Sequence, residues 1–280
     1  MRWVNVALAI RTLEARSFCT PAARSVPPRP GVVVHQRNLD NAANAAAHYR
    51  GLSSVPPAKA MVLGVRCHYP DCALMRVGLE PGATPVSLAP DQHAAQGLAL
   101  AGGQAYWVAS NSLMTMPLAG GSNAEVLLHS DEARDVAVDA NNVYYSTYDS
   151  PGAVRAVPRA GGSPVTLLEG LVYPRRPAVD EENVYVTTGD GYVMKAPLAG
   201  GAATTLAHVG NPASYLALDG DRIYFARVGD QAAIFMVGKN GEGLAKVADA
   251  DPGASHFDVA VDGSNVYFTS TRGVMRLAKP

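Results

Sequence analysis

Five short clusters of side chains able to do chemistry recur along the chain: His93 and Gln96, Arg134 and Asp135, Arg175 and Arg176, Asn211 and Tyr215, and His256 and Asp258. Each stands at the front of an apolar run, so the fold those runs build decides whether the clusters meet. Asp135 and Asp258, with His256 in a general-base role, could hold a hard cation and activate water. Arg134, Arg175 and Arg176 suit an anionic group instead, because a guanidinium is a planar fork of donors that matches a carboxylate or phosphate. A hard cation wants several oxygen ligands, and this set offers few carboxylates among several arginines.

Three further sets repeat. Asp139, Asp180, Asp219 and Asp262 each follow an apolar run, where an Asp side chain bonds the backbone of the turn after it; a ring of cation-binding carboxylates is the other reading. His35, His129 and His208 occupy equivalent places in VVVHQ, VLLHS and TLAHV, which distributes them over separate elements and keeps them from one metal. Cys67 and Cys72 bracket HYPD. Such a pair can close a loop as a disulfide in an oxidising compartment, remain two thiols, or supply half a metal site with His68; the disulfide is the leading reading. The sequence contains no nucleophile-elbow, zinc-protease or phosphate-cradling motif, and no cofactor is expected.

The elements that must position these residues are marked by repetition. Double glycines stand at Gly120-Gly121, Gly161-Gly162 and Gly200-Gly201, with NGEG from Asn240 in the next place. An apolar-aromatic pair keeps the same beat at Tyr106, Tyr144, Tyr185, Tyr224 and Tyr267. A sustained period of about 40 residues means a repeat architecture. In the best copy, DVAVD, VYYST, AVRAVPRA and SPVTLLE read as four antiparallel strands separated by turns. The double glycine supplies the positive φ that a tight hairpin needs. Runs such as VYY and IYF lack a polar alternation, as expected where sheets stack and both faces of a strand are buried.

Repeats start near residues 51, 97, 135, 177, 215 and 257, and the last stops after its third strand, GVMRLAKP. A counterpart of the missing fourth strand stands at residues 32–36, VVVHQ. The expected fold is therefore all-β: a six-bladed β-propeller of four-stranded antiparallel blades over residues 31–280, its ring closed by an N-terminal strand that completes the last blade. Residues 1–30 read as an N-terminal extension, either a degenerate signal segment broken by Arg11 or a disordered stretch, ending in the Pro-rich linker SVPPRPG. In such a ring the clusters ahead of the first strands share one mouth of the central channel, and the four aspartates share the other.

Hydrophobic residues make up 48% of the chain, charged residues 17%, and the net charge is -1. That supports a large core and leaves no basic stripe for nucleic acid and no acidic tail for a cationic partner. No apolar run approaches the roughly 18 residues of a membrane span.

The repeats VYYSTYDSPGAVRAVPRAGGSPVTLL and VYVTTGDGYVMKAPLAGGAATTLA resemble those of the bacterial YWTD-type six-bladed propellers, relatives in architecture of the low-density-lipoprotein-receptor propeller, over about residues 51–280. Tyr106-Trp107 keeps the family's Tyr-Trp pair, whereas the Thr-Asp that should follow is absent. The resemblance implies an extracytoplasmic protein (periplasmic, secreted or at the surface) that works through one propeller face, and it transfers no catalytic residue. The expected function is thus a non-catalytic binding or scaffold module recognising a protein or glycan. Its site would be the rim formed by His93, Gln96, Arg134, Asp135, Arg175, Arg176, Tyr215, His256 and Asp258. The alternative is a metal-dependent hydrolase of the lactonase or esterase type that uses Asp135, Asp258 and His256 at the channel.

Overall fold

The computed structural model describes residues 6–7, 61–68, 71–78, 84–118, 123–148, 150–251, 258–270 and 273–280. Among them there is no helix, and so none long and apolar enough to cross a membrane. The described residues form six sheets, each with antiparallel neighbours in chain order. The first joins β1 (Val6–Ala7), β2 (Met61–His68), β3 (Asp71–Gly78) and β4 (Val86–Ala89). The second holds β5 (Gln96–Ala101), β6 (Gln104–Ala109), β7 (Ser112–Pro117) and β8 (Glu125–His129). The third holds β9 (Ala133–Val138), β10 (Asn142–Thr147), β11 (Gly152–Pro158) and β12 (Val165–Leu171). The fourth holds β13 (Ala178–Val179), β14 (Asn183–Thr187), β15 (Tyr192–Pro197) and β16 (Thr204–His208). The fifth holds β17 (Ala213–Asp219), β18 (Arg222–Arg227), β19 (Ala233–Gly238) and β20 (Ala245–Asp249). The sixth has three strands among the described residues: β21 (Val259–Val261), β22 (Asn265–Ser270) and β23 (Gly273–Ala278).

The second strand of each sheet explains the sequence pattern. In β6, Trp107 packs into a cluster with Cys72, Leu74 and Ala89 of the first sheet. Its neighbours Tyr106 and Val108 pack the other way, against Val136, Val143 and Tyr145 of the third. In β18, Ile223 and Phe225 join Tyr185 and Val193 of the fourth sheet, while Tyr224 and Ala226 join Val259, Val266 and Phe268 of the sixth. Successive side chains of a strand point to opposite faces, so a strand sandwiched between sheets is apolar throughout. The core is therefore a series of layers between consecutive sheets. The first strands of consecutive sheets also touch, β5 with β9, β9 with β13, β13 with β17 and β17 with β21, so they line a common axis.

The hairpins joining third and fourth strands turn on the double glycines. Gly161 and Gly162 have φ of 85° and 134°, and Gly200 and Gly201 repeat this at 86° and 137°, a region that L side chains avoid.

In the first sheet the position beside β2 is taken by Val6–Ala7, with Val6 opposite Gly64 and Ala7 opposite Leu63. The linker, the closing strand at 32–36, the first repeat's start near 51, His35 and His256 lie outside the described residues.

Candidate functional site

The segment Tyr173-Pro174-Arg175-Arg176-Pro177 links the third sheet to the fourth. Proline after Arg176 disfavours helical backbone there, and the Arg175 N–H donates to the Thr187 carbonyl at 2.8 Å. Neighbouring side chains of an extended segment alternate sides, and the two arginines meet different rings, Arg176 that of Tyr215 and Arg175 that of Tyr148.

Arg176 turns toward the axis. Its Nε donates to Asp135 Oδ1 at 3.1 Å, its Nη1 lies 3.6 Å from Asp258 Oδ1, and its guanidinium stands 4.4 Å over the Tyr215 ring. Asp135 belongs to the third sheet, Tyr215 to the fifth, and Asp258 immediately precedes the sixth, so residues from four sectors converge on one guanidinium. The side chains of Arg176, Asp135 and Asp258 are only 12%, 12% and 15% exposed. Burial opposes the charged guanidinium, but the carboxylates of Asp135 and Asp258 outweigh it and hold its pKa above the ordinary value. The Asp135 carboxylate, with burial second, pushes the Tyr215 phenol up as well. Gly97 permits the close approach of β5 to this cluster: its φ is +58°, and a Cβ there would stand 3.0 Å from Asp135 Oδ1.

Arg175 is half-buried and reaches Tyr148. Its guanidinium lies 5.9 Å from the centre of the Tyr148 ring, and that of Arg134 lies 4.8 Å from the same centre. Tyr148 packs against Tyr173 with ring centroids 5.3 Å apart and planes inclined by 40°. These tyrosines are 42% and 44% exposed. Neither Arg134 nor Arg175 has a carboxylate partner among the described residues, and the buried Arg175 Nε has no hydrogen-bond partner there.

The anticipated rim is thus resolved into two parts. Asp135, Arg176, Tyr215 and Asp258 form the inner cluster, and Arg134 and Arg175 form an outer patch with Tyr148 and Tyr173. Gln96 stays half-buried on β5 and His93 is exposed in the turn before it. Tyr148 and Tyr173 lie in connections that do not repeat, so the period gave no reason to single them out.

The aspartates at the other end build turns. Asp139 Oδ1 accepts the N–H groups of Asn141 and Asn142, both at 2.7 Å, and Oδ2 accepts the Tyr144 hydroxyl at 2.6 Å. Asp180 with Tyr185 at 2.8 Å and Asp262 with Tyr267 at 2.7 Å repeat the arrangement. Burial alone would raise these carboxyls, but the donated hydrogen bonds lower all three, Asp180 to about 2. Burial and the carboxylate together raise Tyr144 and Tyr267 to about 12. Asp219 pairs instead with Lys279. Cations tie consecutive sheets together here: Lys239 Nζ reaches Asp180 at 2.6 Å, and Arg159 Nε donates to the Tyr106 hydroxyl at 2.7 Å. A cleft of about 740 Å³ between the fourth and fifth sheets is lined by Asp180, Glu182, Tyr185, Lys195, Asp221 and Lys239.

His129 and His208 lie on β8 and β16, the former 3.1 Å from Ser112 Oγ and the latter stacked on Tyr192 at 4.2 Å. Among the described residues no group of three or more His, Cys, Asp or Glu side chains is placed to hold a metal ion. Cys72 is disulfide-bonded, and the register sets Cys67 directly opposite it.

No family model matches the chain, and no curated protein matches it in sequence. Solved structures do match. A chain of the nidogen/laminin complex aligns with a TM-score of 0.59 at 17% identity, covering 74% of this chain and 86% of that one. The gluconolactonase XC5397 of Xanthomonas campestris aligns with a TM-score of 0.57 at 14% identity, covering 80% and 83%. TolB from Acinetobacter baumannii aligns at 0.58 and 12% identity, covering 84% and 68%. With the stacked antiparallel sheets, these likenesses define the class: the chain is a β-propeller. The neighbours include both binding and lactonase proteins, so the fold alone does not choose between them.

Proposed function

We propose that this propeller is a non-catalytic binding module that recognises a protein or glycan through the face carrying Arg134, Arg175 and Arg176. The observation that carries this reading is the position of Arg176 between Asp135 and Asp258. Those are the carboxylates a hydrolytic cation would need, and a guanidinium already pairs with both. A divalent ion placed there would meet a fixed positive charge and too few oxygens, so the residues do not fit a calcium-type site. Exposed Arg134 and half-buried Arg175 meanwhile have no carboxylate partner among the described residues and stand beside two exposed tyrosines. Arginine and tyrosine are the side chains enriched where partners bind.

The finer architecture we propose is a YWTD-type ring of six blades, closed by residues 32–36 pairing with β23. The sixth sheet supports it, because it has three strands among the described residues where each of the other five sheets has four. We also assign the Cys72 disulfide to Cys67, since directly opposed residues of an antiparallel pair are close enough to bridge. A disulfide supports an extracytoplasmic location.

The test is a panel of lactones and nitrophenyl esters with calcium, manganese and zinc, run beside glycan and peptide arrays probed with the full chain. The expected result is no turnover above buffer, and array binding that the Arg134→Gln/Arg175→Gln double variant loses. Metal-dependent turnover abolished by Asp135→Asn would overturn the reading in favour of the hydrolase.

A further inference from the structure

The outer patch has the chemistry of a particular ligand class. Tyr148 and Tyr173 present two exposed rings inclined by 40° with centroids 5.3 Å apart, a shallow apolar corner. A pyranose ring has a face of C–H bonds that lies flat on such a surface, and a uronate carries a carboxylate at its edge. Arg134 and Arg175 stand on the Tyr148 ring from 4.8 and 5.9 Å, and neither is neutralised by a carboxylate among the described residues. Resting on the reading of this face as a binding face, we propose that it takes a carboxylated sugar chain, the Tyr173 ring carrying the sugar and the two guanidinium groups held on Tyr148 its carboxylate.

Two observations favour a sugar over an acidic peptide. The local backbone donors are committed: Tyr148 N–H to the Glu132 carbonyl at 3.1 Å, Arg175 N–H to Thr187 at 2.8 Å, and Gly189 N–H to Val172 at 2.7 Å. An extended peptide would find none of these to ladder onto, which removes the usual source of its affinity. The tyrosine pair is also set in advance. Tyr173 has a φ of +44°, uncommon for a bulky residue. It is held against Gly189, where an added Cβ would come within 3.1 Å of the Tyr173 Cβ. A preformed aromatic corner binds without an ordering cost, and for a carboxylate alone it would be superfluous.

The experiment is isothermal titration of the full chain with tetragalacturonate, with the same tetrasaccharide after reduction of its carboxyls to alcohols, and with hexaglutamate. Wild type is expected to bind tetragalacturonate only. Arg175→Gln and Tyr173→Ala should each weaken it at least tenfold at an unchanged melting temperature, while Tyr173→Phe, which keeps the ring, stays within about twofold. Equal binding of the reduced tetrasaccharide or of hexaglutamate, absence of tetragalacturonate binding at millimolar concentration, or a Tyr173→Ala chain that folds and binds as wild type would each overturn the proposal. A peptide ligand lost on Arg175→Gln would leave the binding face standing and sink the sugar alone, whereas metal-dependent lactone turnover would remove both.

Discussion

A guanidinium shared by two carboxylates and stacked on a phenol ties four sectors of the fold together, and its value lies in what each member would do alone. Without Arg176, the nearly buried carboxylates Asp135 and Asp258 lose the cation they share, the situation in which breaking a pair costs several kcal/mol. Arg176→Gln is therefore expected to lose about 3 kcal/mol and about 10 °C of melting temperature, as chains of this size shift by a few degrees per kcal/mol. The two exposed carboxyl faces should then admit a cation, so that millimolar calcium restores part of the loss in the variant and moves the wild type not at all. A wild-type melt that rises in calcium would contradict the account of this site. The positions of Asp135, Arg176, Tyr215 and Asp258 ahead of or within first strands were legible from the repeat. Their mutual pairing was not, because residues 135 and 258 come from distant repeats and meet only across the axis through a side chain of a third. Tyr148 and Tyr173 left no periodic trace at all.

In three sheets the hairpin between first and second strands is pinned by an aspartate that serves the turn with one oxygen and a tyrosine five residues on with the other: Asp139 with Tyr144, Asp180 with Tyr185 and Asp262 with Tyr267. The pH consequences run in opposite directions for the two partners. The Asp180 carboxyl is held at about 2, below its ordinary 3.8, so its contribution is present above pH 4 and is lost as pH falls toward 2. The phenols of Tyr144 and Tyr267 are raised from 10.0 to about 12, so their contribution is complete below pH 10 and is lost as pH rises through 12. Asp180→Asn should flatten the acid limb of a denaturant-stability profile, and Tyr144→Phe the alkaline limb. The latter should also cost about 1.5 kcal/mol at neutral pH, the value of a hydrogen bond to a charged acceptor. An alkaline limb unchanged in Tyr144→Phe would show that the pin carries no stability. This element was half legible: the aspartate signalled a turn through its own chemistry, whereas its tie to the tyrosine depends on the hairpin register, which brings residue i+5 back over residue i. The four-stranded antiparallel unit itself was plain in the sequence, because glycine turns and two-sided burial of VYY and IYF are local demands on residue type.

At the scale of the whole molecule, the sheets stack in chain order and each buries apolar surface only against its neighbours, so stability accumulates from layer to layer and any unmatched end is a weakness. β23 is the outer strand of the sixth sheet among the described residues, whereas β11, β15 and β19 are each paired with a fourth strand. A strand edge without a neighbour is a template for pairing with other chains. If residues 32–36 cover it, the segment joins the two ends of the chain and closes the ring between the first and last sheets. Deleting residues 31–37 from the full chain should then open both that edge and the first-to-sixth contact. The expected consequences are a melting temperature lowered by at least 5 °C and a concentration-dependent shift to dimers and larger species in sedimentation velocity. Replacing Val33 by Lys should reproduce part of both effects without shortening the chain, since a charge placed in the ladder's apolar face opposes its docking. A deletion variant that remains monomeric and melts with the wild type would mean that the ring is held by the stacked layers alone, and that VVVHQ resembles a fourth strand without serving as one.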